Sequence, residues 1–146
     1  MNEITDVRSY NIGSSEYSHG HKWQVWDIWI ALGKYANPFD CDILKRILRI
    51  KKSDGRLLDY QKCVHICRER IRQFDENINP YIIGNSNITV EKLYEMLSDY
   101  DITDEDKQIV ELLIYPNVEN RVKDYEKIIE LCEKRIKELE KEEKIN

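Results

Sequence analysis

An internal repeat constrains this chain more than any other feature of its sequence. When residues 25–73 are placed on residues 90–138 without a gap, 11 of the 49 positions are identical, whereas composition alone would give about three. The identical pairs include Arg56/Arg121, Asp59/Asp124, Tyr60/Tyr125, Cys67/Cys132 and Arg70/Arg135. A repeat of this length predicts one structural unit used twice, because neither copy alone has much apolar surface to bury.

Each copy carries signals for three helices. In the second copy Thr89 is placed to cap a helix from Val90, and Thr103 with Asp106 forms a capping-box pattern before the next helix. In the first copy a helix is expected from about Lys22 to Leu32, and a second helix is expected after residues 37–40.

The third helix of each copy is the longest and carries an apolar stripe with alternating steps of three and four residues. This spacing lets a narrow stripe face a partner helix. We therefore predict an all-α fold, a tandem duplication of a three-helix unit packed as a helical bundle; the alternative is a homodimer with the stripes meeting between chains. The stripes consist of Leu57, Tyr60, Val64, Cys67, Ile71 and Phe74, and of Val122, Tyr125, Ile129, Cys132, Ile136 and Leu139.

The predicted organisation is a single domain over residues 1–146, with repeat unit one at 22–74, a connector at 75–89 and repeat unit two at 90–144. Five Gly and three Pro leave little room for the turns of an all-β fold. No run of about 18 apolar residues occurs, and the start of the chain lacks the pattern of a secretion signal. We expect a cytoplasmic protein without membrane contact, whose four cysteines are reduced core thiols.

The charge is unevenly distributed. Residues 40–74 carry ten basic and five acidic side chains, whereas residues 75–146 carry ten basic and nineteen acidic ones. In the ungapped alignment Lys45 stands against Val110, and Arg49 stands against Ile114. The basic residues Lys45, Arg46, Arg49 and Lys52 recur at helical spacing and predict either a phosphate-binding face or an ordinary solvated helix surface.

The segment before this basic helix is rich in aromatic and imidazole side chains. Aromatic rings can stack on bases while basic side chains hold phosphates. The predicted ligand-binding residues are therefore Tyr17, His19, His21, Trp23, Lys45, Arg46, Arg49 and Lys52.

Several stretches of residues 16–73 resemble a small bacteriophage protein family of unknown function, numbered 3310. The resemblance is carried by Tyr17, by residues 23–29 (Trp-Gln-Val-Trp-Asp-Ile-Trp), by the amphipathic run 42–52 and by residues 58–62 (Leu-Asp-Tyr-Gln-Lys). It implies a phage or prophage origin and a place in the host cytoplasm. Some members of the family are loosely labelled nucleotide-kinase-like, but the family implies no firm activity.

Patterns for catalysis are weak in this sequence. The single glycine in Ser53-Asp54-Gly55-Arg56 does not make a phosphate-cradling loop, and the spacing Cys63-x-His65-x-Cys67 is not that of a closed zinc site. We expect no catalytic residue, no metal and no cofactor. The preferred hypothesis is a non-catalytic protein that captures a phosphorylated small molecule. The alternatives are an acidic inhibitor that docks on a nucleic-acid-handling host or defence protein, and a magnesium-dependent nucleotide pyrophosphatase.

Overall fold

The computed structural model describes residues 37–49, 53–78, 80 and 88–145. These residues form five helices and no strand, so the all-α prediction is confirmed. The helix predicted at 22–32 lies outside the described residues. Within the described part of the chain, no helix has an apolar stretch long enough to cross a membrane. The helices are α1 (Pro38–Leu48), α2 (Ser53–Asp75), α3 (Val90–Leu97), α4 (Asp104–Ile114) and α5 (Arg121–Ile145).

Side chains that accept hydrogen bonds from the first turn fix where three helices begin. The Thr89 side chain accepts from the Lys92 backbone, and Thr103 and Asp106 form the expected reciprocal capping box at 3.1 and 3.0 Å. Helix α1 begins earlier than predicted, at Pro38, because the Asn37 side chain accepts from the Phe39 backbone at 2.7 Å.

The end of α2 is fixed by a left-handed residue. Asn77 has a φ of 55°, a conformation that asparagine tolerates better than most residues. Around it the Ile78 backbone donates to the Gln73 carbonyl at 2.7 Å, and the Asn77 backbone donates to the Phe74 carbonyl at 3.2 Å. This Schellman pairing satisfies the last carbonyls of α2 and turns the chain away from the helix axis.

The two long helices α2 and α5 form the centre of the molecule, with α1 packed on α2 and α4 packed on α5. Helix α1 also contacts α4, and α3 packs on the outside of α4. All twelve stripe positions are buried or partly buried as predicted, and Cys63, Ile128 and Leu131 join them in the core. The core of a four-helix arrangement thus lies between two antiparallel pairs.

Buried polar groups link the two halves of this core, which we call the first half (37–78) and the second half (88–145). The Tyr60 hydroxyl on α2 donates to Asp106 Oδ1 at 2.5 Å, and the Arg56 guanidinium donates to Asp106 Oδ2 at 2.8 Å. Arg56 also donates to the Arg46 and Ile47 carbonyls at the end of α1, at 2.8 and 2.7 Å. One arginine therefore joins the carboxyl end of α1 to the amino end of α4.

The same contacts recur with the halves exchanged. The Tyr125 hydroxyl donates to Asp40 Oδ1 at 2.7 Å, and Arg121 donates to Asp40 Oδ2 at 3.1 Å. Arg121 also donates to the Leu112 and Leu113 carbonyls at the end of α4. Each tyrosine hydroxyl additionally accepts from the long helix opposite, Tyr60 from Arg135 at 3.4 Å and Tyr125 from Arg70 at 3.1 Å. These contacts require α1 to run antiparallel to α4, and α2 antiparallel to α5.

The recurring contacts show that equivalent positions in α1 and α4 are shifted by one residue relative to the ungapped alignment. Asp40 corresponds to Asp106, and the caps Asn37 and Thr103 also lie 66 residues apart, whereas the tyrosines and arginines of the long helices keep a spacing of 65. The carbonyls that receive Arg56 and Arg121 follow the same 66-residue spacing. An evolutionary duplication stays a prediction, but equivalent positions in α1 and α4 are now defined by contacts.

Arg121→Lys should destabilise the protein by about 2 to 4 kcal/mol, because a lysine cannot reproduce the fork that bridges Asp40, Asp124 and two carbonyls. The matched control is Arg72→Lys: Arg72 also makes charge-assisted bonds, to Glu69 and Glu76, but is 49% exposed where Arg121 is 1% exposed. The control should cost less than about 1 kcal/mol. Urea unfolding measures both, and equal losses would contradict a structural role for the buried bridge.

The two buried tyrosines should make folding sensitive to alkali. Burial and the adjacent Asp106 raise the pKa of Tyr60, and burial and Asp40 raise the pKa of Tyr125. A tyrosine whose pKa is higher in the folded chain stabilises it fully below the unfolded value of about 10, and that contribution is lost as pH rises beyond it.

The measurement is the free energy of unfolding between pH 8 and pH 11.5, with tyrosinate absorbance followed in parallel. Wild type should lose stability steeply above about pH 10. The double variant Tyr60→Phe with Tyr125→Phe, less stable at pH 8, should show a shallower decline. Parallel pH profiles would show that neither hydroxyl is held protonated by its carboxylate.

Candidate ligand-binding site

The predicted site is only partly within the described residues. Tyr17, His19, His21, Trp23 and Lys52 lie outside them, so their role stays a prediction. Lys45, Arg46 and Arg49 are described, and all three are partly buried near the carboxyl end of α1. The geometry of the site is therefore built on α1 and on the part of α2 beside it.

Two arginines of α1 converge on one carboxylate of α2. Arg46 Nη1 lies 3.4 Å from Asp59 Oδ1, and Arg49 Nη1 lies 3.9 Å from the same oxygen. Arg46 also contacts Asp42 on its own helix, Nε to Oδ1 at 3.1 Å. The Asp59 side chain is 2% exposed, while those of Arg46 and Arg49 are 19% and 15% exposed. We call Arg46, Arg49 and Asp59 the arginine cluster; its carboxylate is buried and its two arginine side chains are partly exposed.

Two lysines border the arginine cluster. Lys45 precedes Arg46 on α1 and is partly buried, and Lys62 is exposed one turn after Asp59 on α2. Cationic side chains in a partly desolvated place favour an anionic ligand.

The contact-defined alignment changes what these positions replace. Lys45 corresponds to Glu111, Arg46 to Leu112 and Arg49 to Tyr115, instead of the counterparts Val110, Glu111 and Ile114 of the ungapped alignment. Position 59, by contrast, is aspartate in both halves. Cationic side chains at 46 and 49 therefore distinguish the first half, but the change at Lys45 is one of charge sign and not one from an apolar residue.

Sequence reasoning missed Asp59 as part of this site. Its identity with Asp124 was visible, but that identity indicated scaffold and not site. The signal that could have found it is the position of an acid directly beside Tyr60 of the apolar stripe, since a buried carboxylate needs cationic or hydrogen-bonding partners. Only the packing of α1 on α2 shows which cations those are.

The cysteines offer little reactivity in the folded state. All four are thiols without a disulfide, and Cys63, Cys67 and Cys132 are fully buried. A hydrogen bond with Cys132 and burial raise the pKa of Cys63, and burial raises the pKa of Cys67. Because the thiolate is the reactive form, both are poor nucleophiles. Within the described ranges, no three His, Cys, Asp or Glu side chains are grouped so as to hold a metal ion.

A second charged surface lies on the other half. From residue 88 to residue 119 the chain carries nine acidic and two basic side chains. Burial and the neighbouring carboxylates of Glu111 and Asp104 raise the pKa of the Tyr94 hydroxyl, as expected in a negative environment. We call the exposed acids between residues 90 and 104 the acidic face; they are Glu91, Glu95, Asp99, Asp101 and Asp104.

No family model, no curated protein and no solved structure matches this chain. The resemblance of residues 16–73 to the phage family thus stays a prediction.

Proposed function

We propose that this chain is a non-catalytic binding protein that captures a phosphorylated ligand, such as a nucleotide, on the cationic surface made by the arginine cluster, Lys45 and Lys62. The observation that supports it is the convergence of Arg46 and Arg49 on one oxygen of the buried Asp59 side chain, beside two lysines. Guanidinium groups match the geometry of phosphate oxygens and bind them through paired hydrogen bonds.

The surroundings of the arginine cluster favour binding of an anionic ligand. Arg46 and Arg49 are mostly shielded from water, so an anion that reaches them meets weaker dielectric screening than at a fully exposed helix face. Lys62 is exposed to solvent and would attract the anion at longer range, with the partly buried Lys45 beside Arg46. For a protein of phage origin, as the resemblance implies, such a site would serve to sequester a nucleotide signal of the host.

The test replaces the two lysines and leaves the arginine cluster intact. Lys45→Gln with Lys62→Gln should weaken binding of nucleoside di- and triphosphates about tenfold or more, because two charge-assisted contacts are lost. The control, Lys123→Gln with Lys127→Gln, removes the same net charge from α5, where Lys127 is the counterpart of Lys62. Titration calorimetry measures both. Absence of heat from wild type across mono-, di-, tri- and cyclic nucleotides, or equal losses in the two variants, would refute the proposal.

The acidic face supports a second candidate function, docking on a basic protein surface in the manner of a phosphate mimic. Its acids are exposed, and one of them, Glu95, is paired with Lys92 at 3.5 Å. An interface of this kind gives fast, salt-sensitive association.

This candidate function is tested by neutralising three acids on the acidic face and, in a control variant, three acids on α5. Glu95→Gln, Asp99→Asn and Asp101→Asn together should weaken binding to a fluorescent Lys/Arg-rich peptide at low salt. The control is Glu126→Gln, Glu130→Gln and Glu133→Gln on α5, three exposed acids of which Glu130 is paired with Lys127, as Glu95 is with Lys92. Fluorescence anisotropy measures the affinity of both triple variants for the peptide. If the control variant binds as weakly as the test variant, only net charge matters and the second candidate function is contradicted.

A further inference from the structure

We propose that Asp59 is a positioning residue for the phosphate site. In this role its buried carboxylate, reaching α1 from α2, holds the Arg46 and Arg49 guanidinium groups together so that one phosphate can accept hydrogen bonds from both. The proposal rests on the proposed function and names a residue outside the predicted ligand-binding set.

The distances show that Asp59 holds these arginines loosely. Its contacts of 3.4 and 3.9 Å are longer than the 2.8 Å between Arg56 and Asp106 or the 3.1 Å between Arg121 and Asp40. A charge-assisted hydrogen bond of full strength measures about 2.7 to 2.9 Å. The other arginine and carboxylate pairs of the core are short structural bridges, whereas both contacts of Asp59 in the arginine cluster are longer.

Only one oxygen of the Asp59 carboxylate has partners among the described residues. Both guanidinium groups approach Oδ1, while the buried Oδ2 has no hydrogen-bond donor among the described residues. Burying a carboxylate in this state costs free energy unless nearby cations offset it. Conversely, two guanidinium groups of like charge would repel each other on α1 without an anion between them. Asp59 is therefore the group that allows Arg46 and Arg49 to lie close together.

The counterpart in the second half shows the purely structural use of the same residue. Asp124 Oδ2 accepts from the Asn117 backbone at 2.7 Å and from Arg121 at 2.9 Å, so it is engaged in holding the entry to α5. The positions that correspond to Arg46 and Arg49 are Leu112 and Tyr115, which carry no charge. In the first half the aspartate faces two arginines that the second half lacks.

A competing role predicts the opposite result. If Asp59 merely neutralised the arginines, it would compete with the ligand, and Asp59→Asn would strengthen phosphate binding by removing a negative charge. If Asp59 positions them, the same substitution weakens binding although the site becomes more positive. The sign of the change in affinity separates the two roles, because Coulomb attraction alone can only increase.

The experiment measures binding of pyrophosphate and of a nucleoside triphosphate by calorimetry, with wild type, Asp59→Asn and Asp124→Asn. Each variant removes one negative charge from an equivalent place, and melting curves confirm that the measurement is made on folded protein. Asp59→Asn should bind about tenfold more weakly or worse, and Asp124→Asn should stay within about twofold of wild type. Wild type that binds neither probe overturns the proposed function and this inference with it. Wild type that binds, together with Asp59→Asn that binds equally well or better, overturns the inference alone.

A second variant covers the case in which Asp59→Asn does not fold. Asp59→Glu keeps the charge and moves the carboxylate by one methylene, so it should weaken binding by several-fold if position matters. An unchanged affinity in Asp59→Glu overturns the inference, since a role through charge alone tolerates that displacement.

Discussion

A guanidinium group that joins the end of one short helix to the start of the other is the contact on which this architecture depends. Arg56 and Arg121 each bind carbonyls at the carboxyl end of the short helix in their own half and an aspartate at the amino end of the short helix in the other half. Both helix ends carry partial charges that such partners stabilise. The tyrosine hydroxyls donate to the other oxygen of each aspartate. The tyrosine rings lie against the arginines, with ring centroids 4.9 and 5.0 Å from the guanidinium carbons. Orientation, register and pairing of the helices all follow from this arrangement.

Much of the fold could be predicted because apolar spacing and caps are local signals. The stripes on α2 and α5, the caps Thr89 and Thr103, and the identities at Tyr60/Tyr125 and Arg56/Arg121 were all visible in the sequence. The register of α1 against α4 was not. An ungapped alignment fixed on the long helices displaces the short ones by one residue, and only the bonds of Asp40 and Asp106 show the displacement. Periodicity indicates which face is buried, but not which polar groups will be buried with it.

The candidate site was predictable in kind more than in detail. A run of basic residues at helical spacing indicated an anion-binding face. Three of them, Lys45, Arg46 and Arg49, lie together at the carboxyl end of α1. Their relation to Asp59 could not be predicted, because it depends on how α1 crosses α2. That relation changes the physical picture from exposed cations on a solvated helix to shielded guanidinium groups held beside a buried carboxylate. Such a site gains affinity from preorganisation as well as from charge.

The exchange of aspartates between the halves also bears on how such a molecule could arise or be divided. In each half the tyrosine hydroxyl donates to an aspartate of the other half, and the arginine binds that same aspartate, so a lone copy could make these contacts only by pairing with a second copy of itself. By the same logic, the two halves produced as separate fragments are expected to complement each other, because each supplies the aspartate that the arginine and tyrosine of the other bind.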